Sequence, residues 1–226
     1  SNEILDWPLI ERVARTDRPV VLSTGTATQQ DVAATLDFCR AVGIGQLAVL
    51  HCVSAYPAKV EHANVSTVAD IRDRFGVVAG FSDHTLGIAS AVAAVSTGAD
   101  IIEKHFTLAR DEGGPDASFS LEPGEFAELC RVARDARASV GQVCYGGERD
   151  LASDGIFTRQ FWTTQHIPAG ARLTNDNLRS VRAPDGAGGV SPRHYRSVLG
   201  CRAKRPLEPH NPLRWEDIKD NGEGTP

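Results

Sequence analysis

The stretch VVAGFSDHTLGIASAVAAVSTGADIIEKHFT, residues 77–107, contains two short apolar runs separated by a segment of small residues. Residues 77–85 and 100–107 have the length and apolar content of buried strands, and each run ends in polar residues. The segment between them, residues 87–99, has the length and composition of a closely packed helix. A strand, a helix and a second strand in this order predict a unit of a parallel α/β sheet.

The same alternation extends toward both ends of the first two thirds of the chain. Further strands are predicted at residues 19–26 and 46–57, and further helices at 29–43, 65–76 and 123–141. This spacing fits either a (β/α) barrel or an open, doubly wound sheet. The barrel is favoured because every predicted strand ends in polar residues, and the carboxyl ends of barrel strands converge on one site.

Composition changes around residues 142–155, where the sequence becomes loop-like and the βα pattern ends. We therefore predict a barrel-type domain at residues 1–145, a linker at 146–155 and a second domain at 156–226. The second domain contains two matching phrases, HIPAGARLTNDNL and PLEPHNPLRWEDI, which indicate a compact, pseudo-symmetric β-rich module.

The overall composition argues for a globular protein with small-molecule ligands. The 226 residues are 41% hydrophobic and 23% charged, with a formal net charge of −5. The sequence has no basic run with interleaved aromatic residues, the pattern that indicates nucleic-acid binding. It also has no apolar segment long enough to predict a membrane span. We expect the protein to be cytoplasmic and to bind neither nucleic acid nor membranes.

Two histidines stand at the ends of successive predicted strands, His84 in SDHT and His105 in EKHF. Because neighbouring parallel strands lie about 4.8 Å apart, both side chains could enter one site and share a divalent metal. Two imidazoles would leave positions open for water and substrate oxygens. The flanking carboxylates Asp83 and Glu103 favour this interpretation over two separate, hydrogen-bonded strand-end histidines.

Hydroxyl and carboxyl groups at the other strand ends predict further chemistry. Ser23, Ser54 and Ser82 are candidates for phosphate binding, because hydroxyls and backbone N–H groups before a helix receive anions well. Glu3, Glu103 and Asp116 are candidate acids, bases or hydroxyl-orienting groups. Ordinary turn residues and solvated loop carboxylates remain the alternative interpretation of each group taken singly.

Four ordered motifs resemble the sialic acid synthase family: HCVSAYP (51–57), GFSDHTLGI (80–88), IIEKHFTL (101–108) and GGPDASFSLEP (113–123). Members condense phosphoenolpyruvate with an N-acetylated aldose to give a nine-carbon keto acid. The C-terminal segment is similar to the family's antifreeze-like (SAF) domain. The resemblance implies the C-terminal portion of a (β/α)8 TIM barrel followed by an SAF domain, with the N-terminal part of the barrel missing.

The resemblance also implies a metal site and a phosphoenolpyruvate site. His84 and His105 match the family's ligands for a divalent metal, Mn or Mg. Ser23, Ser54 and Ser82 match positions that line the phosphoenolpyruvate site, although some members have Asn at the position of Ser54.

Other implied roles concern the sugar and the proton transfers. Tyr56 lies beside the phosphoenolpyruvate positions, Glu3 matches a carboxylate near the sugar and the reacting carbon, and Glu103 and Asp116 match active-site acids. Arg182 matches an arginine that reaches from the SAF domain to the N-acetyl group of the sugar across a domain-swapped homodimer. The RAPDGAGG turn after it is longer than is usual in the family.

The motifs favour pseudaminic acid as the product, because SAYPA and GGPDASFSLEP resemble the versions found in enzymes that make it. HC before VSAYP favours the alternative, an N-acetylneuraminic or legionaminic acid synthase. A hypothesis of another class is a catalytically incomplete fragment that acts only as a binding or assembly module, which the missing strands suggest. A metal-dependent hydrolase is a third, less favoured by the C-terminal domain.

Overall fold

In the computed structural model, residues 2–145, 158–182 and 187–219 are described. The chain divides into two compact units, residues 1–142 and 143–226. The predicted linker at 146–155 lies outside the described residues.

Four parallel strands form the sheet of the first unit, side by side in chain order. They are β1 (Val20–Ser23), β2 (Leu47–Cys52), β3 (Val78–Asp83) and β4 (Ile101–Lys104). Each lies within a predicted strand and is shorter than predicted. The polar residues that follow each strand leave the ladder and form loops.

Five helices accompany this sheet: α1 (Trp7–Ala14), α2 (Gln29–Ala41), α3 (Ser66–Phe75), α4 (Ala89–Ser96) and α5 (Pro123–Val140). The sequence predicted all except α1. This short helix is fixed to α2, where the ring of Trp7 stacks on that of Phe38 with 4.7 Å between centroids. No helix within the described ranges is both long and apolar enough to cross a bilayer.

The strand order separates the two architectures that the sequence left open. The order β1-β2-β3-β4 never reverses, whereas a doubly wound sheet has a point of reversal. Right-handed crossovers between neighbouring strands place α2, α3 and α4 on the same face of the sheet. The prediction of a barrel portion is confirmed, and the other face of the sheet is the inner face of the barrel wall.

Alternation along the strands divides their side chains between the two faces. Val49, Ala79 and Phe81 pack toward the helices in a buried cluster with Leu36 and Val68, each at most 4% exposed. The intervening residues occupy the inner face in rows that follow the register of the ladder. One such row is Leu50, Gly80 and Ile101, and the next row toward the carboxyl ends is Cys52, Ser82 and Glu103.

Gly80 is required by the close approach of its neighbours on the inner face. A Cβ atom at this position would lie 2.5 Å from the carbonyl oxygen of Ile101 and would also overlap Leu50. We expect Gly80→Ala to lower the free energy of unfolding by about 1–3 kcal/mol, as overpacking does elsewhere, in urea denaturation followed by circular dichroism. Gly45→Ala is the control, because a Cβ there meets nothing within 4 Å. Equal effects of the two substitutions would contradict this explanation.

The second unit contains two small antiparallel sheets. β5 (Arg159–Thr163) pairs with β6 (Leu178–Arg182), and β7 (Arg202–Ala203) pairs with β8 (Ile218–Lys219). A single-turn helix, α6, spans Tyr195–Val198. The β-like pieces predicted around residues 156–164 and 202–207 contain β5 and β7, but β6 was not predicted because its alternating charged residues do not resemble a buried strand.

The two matching phrases occupy equivalent positions in this unit. Ile167 and Leu207 stand at the same place in each phrase and exchange two backbone hydrogen bonds, both of 2.9 Å. Gly170 and His210, again equivalent, both adopt a left-handed conformation, with φ of 79° and 62°. The repeat in the sequence therefore corresponds to a repeat of backbone conformation around one apolar core.

Candidate active site

His84 lies one residue beyond β3 and is 7% exposed. Its Nδ1 donates a hydrogen bond of 2.9 Å to the carbonyl oxygen of Val53, in the loop after β2. Burial disfavours the charged ring, but hydrogen bonds to Cys52 and Val53 outweigh it and raise the pKa of His84. Since a carbonyl oxygen can only accept, the proton of the neutral ring is on Nδ1 and the lone pair of Nε2 can bind a ligand.

His105 lies one residue beyond β4, and its ring stands beside that of His84. The two ring centroids are 5.1 Å apart and the planes are inclined by 72°. Nδ1 of His105 is 3.6 Å from Oδ2 of Asp116, which belongs to the loop before α5. The structure thus brings both histidines and Asp116 to one end of the sheet.

Two aromatic rings enclose the histidine pair. The Tyr56 centroid lies 4.2 Å from that of His84 and 5.8 Å from that of His105, and the residue is half exposed. Phe119 is 6% exposed, with its ring 4.9 Å from that of His105. Phe119 was not among the predicted site residues, because nothing in its local sequence separates it from an ordinary core phenylalanine.

Ser82 and Glu103 face each other across β3 and β4 on the inner face. The Ser82 hydroxyl donates a hydrogen bond of 2.6 Å to Oε1 of Glu103. Ser82 is buried, whereas Glu103 is exposed, so the carboxylate is accessible to water and to a ligand. A hydroxyl and an accessible carboxylate lie together below the histidines.

The other predicted serines occupy the same end of the sheet. Ser23 is the last residue of β1, and its register with Leu50 places its side chain on the inner face, as for Ser82. Ser54 lies in the loop after β2 and is partly buried.

Asp83 does not contribute to the histidine pair as its position next to His84 suggested. Its carboxylate lies on the helix-facing side of the sheet, where Oδ2 accepts a hydrogen bond of 2.8 Å from Nζ of Lys104. Strand alternation explains the difference, because residues 83 and 104 point away from the inner face that carries Ser82 and Glu103. Asp83 therefore does not support a metal site at His84, and its predicted contribution there is wrong.

Two predicted sugar-binding residues lie elsewhere along the chain. Glu3 is exposed on the single-turn 3₁₀ helix Asn2–Leu5, which packs against α1, α2 and β1. Arg182 is the exposed last residue of β6 in the second unit. The roles predicted for both residues remain predictions.

The loop that carries Asp116 and Phe119 is anchored to α5 by Arg110. The guanidinium forms two contacts with Glu125, of 2.5 and 3.0 Å, and the Arg110 backbone N–H donates to Glu122. The hydrogen bonds from Arg110 lower the pKa of Glu125 from 4.5 to about 2.

This anchor predicts a pH dependence of the loop. A lowered pKa in the folded state stabilises the fold above the unfolded value of 4.5, and this stabilisation is lost as the pH falls toward 2. We expect amide exchange at Glu122, whose backbone N–H donates a hydrogen bond of 2.9 Å to the Glu125 carboxylate, to become faster across this range after correction for intrinsic rates. Glu125→Gln should remove that dependence. The same profile in both proteins would contradict the assignment.

The histidine pair fits a divalent metal in its donor chemistry. Each ring has one nitrogen near an oxygen acceptor, Val53 for His84 and Asp116 for His105, which is the arrangement that orients metal-binding imidazoles. Within the part of the chain that the structure describes, no group of three or more His, Cys, Asp or Glu side chains has metal-binding spacing. In such a site the two histidines would be ligands from the described residues, with other positions open to water and substrate.

Comparison with known proteins identifies two family matches. The NeuB family model matches residues 1–145, and the SAF domain model matches residues 158–219. The pseudaminic acid synthase of Helicobacter pylori is 34% identical over 220 residues, which are 97% of this chain and 64% of that protein. The N,N'-diacetyllegionaminic acid synthase of Legionella pneumophila is 30% identical over 228 residues, which are 97% of this chain and 62% of that protein. The chain thus spans less than two thirds of the length of these relatives.

A solved structure is also similar over nearly the whole of this chain. The spore coat polysaccharide biosynthesis protein SpsE of Bacillus subtilis superposes with a TM-score of 0.59 and 32% identity. The match covers 97% of this chain and 66% of that one.

Proposed function

Because this chain belongs to the NeuB family, we propose that it forms the carbon–carbon bond of a nine-carbon, sialic-acid-like sugar. The resemblance predicted from the four motifs is confirmed by the family matches. The proposed reaction joins phosphoenolpyruvate to an N-acetylated amino-sugar aldose and releases phosphate. The observation that carries the proposal is the histidine pair, with rings 5.1 Å apart at the ends of adjacent strands.

Pseudaminic acid is the product that we propose. The motifs favour it, and the Helicobacter pylori relative that makes pseudaminic acid is 34% identical. The legionaminic acid synthase is 30% identical. Legionaminic and N-acetylneuraminic acid are therefore the alternative products that the experiment must distinguish.

In this proposal His84 and His105 would hold Mn²⁺ or Mg²⁺. When bound, such an ion supplies Lewis-acid polarisation of an aldehyde oxygen. The chain prepares the ligands, because the bond to Val53 leaves Nε2 of His84 unprotonated, and Asp116 lies within 3.6 Å of Nδ1 of His105. Tyr56 and Phe119 restrict the rotation of both rings and limit the access of water.

Ser82 and Glu103 supply anion binding and proton transfer in the proposed mechanism. Turning the Ser82 hydroxyl toward a phosphate oxygen would free the Glu103 carboxylate, which in the structure accepts a hydrogen bond of 2.6 Å from this hydroxyl. The carboxylate could then take a proton from the attacking water. Ser23 and Ser54 would complete the phosphoenolpyruvate site, because Ser23 ends β1 and Ser54 follows the neighbouring strand β2 at the same end of the sheet.

The bond changes of the proposed reaction balance with these groups. C3 of phosphoenolpyruvate bonds to the aldehyde carbon and water adds at C2. The proton that this water gives to Glu103 passes to the aldehyde oxygen, which becomes a hydroxyl. The C2–O bond to phosphate then breaks, and phosphate leaves with the C2 hydroxyl proton as the C2 carbonyl forms. Glu3 and Arg182 would bind the sugar. Arg182 lies in the segment that matches the SAF domain model, and in the proposal it comes from a partner subunit of a domain-swapped homodimer.

The test is a product analysis with competing sugars. The native gene product that contains this chain is incubated with phosphoenolpyruvate, Mn²⁺ and a mixture of the N-acetylated aldose precursors of the three acids. We expect one phosphate per nine-carbon acid and a preference for the pseudaminic precursor, measured by mass spectrometry and a phosphate assay. Phosphate release that does not depend on any aldose would count against the synthase.

A further inference from the structure

Lys104 directly precedes His105, yet its side chain points away from the site, to the helix-facing side of the sheet. Its Nζ donates a hydrogen bond of 2.8 Å to Oδ2 of Asp83 and another to the carbonyl oxygen of Thr85. The side chains of Lys104 and Asp83 are 1% and 0% exposed. Charges removed from water this completely are stable only when paired and hydrogen-bonded, so the ammonium group has one well-defined position.

Asp83 extends this connection to the residue on the other side of His84. Its Oδ1 accepts hydrogen bonds of 2.8 Å from both the backbone N–H and the hydroxyl of Thr85. Thr85 is itself 1% exposed. Both neighbours of His84 are therefore tied to the residue that precedes His105.

The Lys104 side chain joins β3 and β4 at the point where their backbone pairing stops. The paired register of β3 and β4 ends at Asp83 and Lys104, one residue before each histidine. Beyond that point the two backbones bond to different loops: the carbonyl of His84 accepts from Ala58, and that of His105 accepts from Leu121. The Lys104 side chain spans the two strand ends where the ladder no longer joins them.

We infer that Lys104 is a positioning residue that sets the separation of His84 and His105 by linking their backbones through Asp83 and Thr85. The inference deepens the proposed function and rests on it, because the separation matters if the two imidazoles share an ion. Substituting Lys104 alone would leave the Asp83 carboxylate buried and unpaired, which could unfold the protein. A variant that removes both charges avoids this.

The test uses the double variant Asp83→Asn, Lys104→Met. Asn retains the acceptor for Thr85, and Met keeps most of the lysine's length, so only the link and the two charges are removed. The matched control is Asp70→Asn, Arg74→Met, which removes an exposed ion pair of 2.7 Å on α3. Both variants are compared with the unmodified chain at a temperature at which all three are folded.

Two measurements follow. Imidazole NMR should show an inter-ring nuclear Overhauser effect between His84 and His105 in the unmodified chain and in the control, and its loss in the double variant. Titration calorimetry should show a loss of Mn²⁺ affinity of about tenfold or more in the double variant only, the size typical of lost outer-sphere support.

The outcomes separate the two proposals. When the unmodified chain binds Mn²⁺, retention of the inter-ring effect in the double variant, or an equal Mn²⁺ affinity in that variant, would overturn the positioning role and leave the metal site intact. If the unmodified chain binds no Mn²⁺ but the double variant still loses the inter-ring effect, the positioning role stands and the proposed metal site fails.

Discussion

Replacing either His84 or His105 by alanine is expected to lower Mn²⁺ affinity by more than about a hundredfold and to abolish product formation. Loss of an outer partner of a metal ligand typically costs about 10–100-fold in affinity or activity, and loss of one of only two protein ligands should cost more. The two rings lie 5.1 Å apart and neither can substitute for the other. Titration calorimetry and the phosphate assay measure the two effects.

His62→Ala is the control for this experiment. His62 is the exposed last residue of the 3₁₀ helix Val60–His62, outside the pair. Because His84 is buried, its substitution can also destabilise the fold. Thermal unfolding of the three variants distinguishes such destabilisation from loss of a metal ligand. A folded His84→Ala protein that binds Mn²⁺ as tightly as the His62→Ala protein would contradict the assignment of the pair.

Asp83→Leu is expected to lower the free energy of unfolding by about 3–5 kcal/mol, the usual cost of leaving one partner of a buried ion pair alone. The Lys104 ammonium group would remain 1% exposed without its counter-charge. Thr85 would also lose the acceptor of two hydrogen bonds. Urea denaturation at neutral pH measures the change.

The loss of stability in Asp83→Leu is compared with that in two other variants. Asp70→Asn breaks an exposed pair on α3 and should cost less than about 1 kcal/mol. Asp83→Asn with Lys104→Met should recover most of the stability lost in Asp83→Leu, because neither charge is then buried alone. A cost for Asp83→Leu no larger than that for Asp70→Asn would show that the pair is not buried in solution.

The sheet and the helices α2 to α5 could be predicted from the sequence because burial leaves a regular pattern in them. Val49, Leu50 and Phe81 belong to continuous apolar runs, as expected for strands covered on both faces. α1 is held by the Trp7–Phe38 stack, a long-range contact that periodicity does not record. In the second unit, β6 is short and charged, and the partner strand decides its conformation.

Residues of the site could be predicted only where the residue type itself indicates a chemical role. His84, His105 and Ser82 were identified in this way, and the structure places them at one end of the sheet. The pairing of Asp83 with Lys104 was not predicted. It could have been, because alternation along the strands places both side chains on the face opposite Ser82. Adjacency in sequence suggested shared chemistry, but in a strand adjacent residues point to opposite faces.

Isotope labelling of phosphoenolpyruvate tests the proposed bond-forming reaction most directly. Phosphoenolpyruvate carrying ¹⁸O in the bridge between C2 and phosphorus is incubated with the native gene product, Mn²⁺ and the preferred aldose. We expect the label to leave with phosphate, because the C2–O bond breaks, and a nine-carbon acid to form in equal amount. Label retained on the carbon product, or labelled phosphate formed without the aldose, would contradict the proposed reaction.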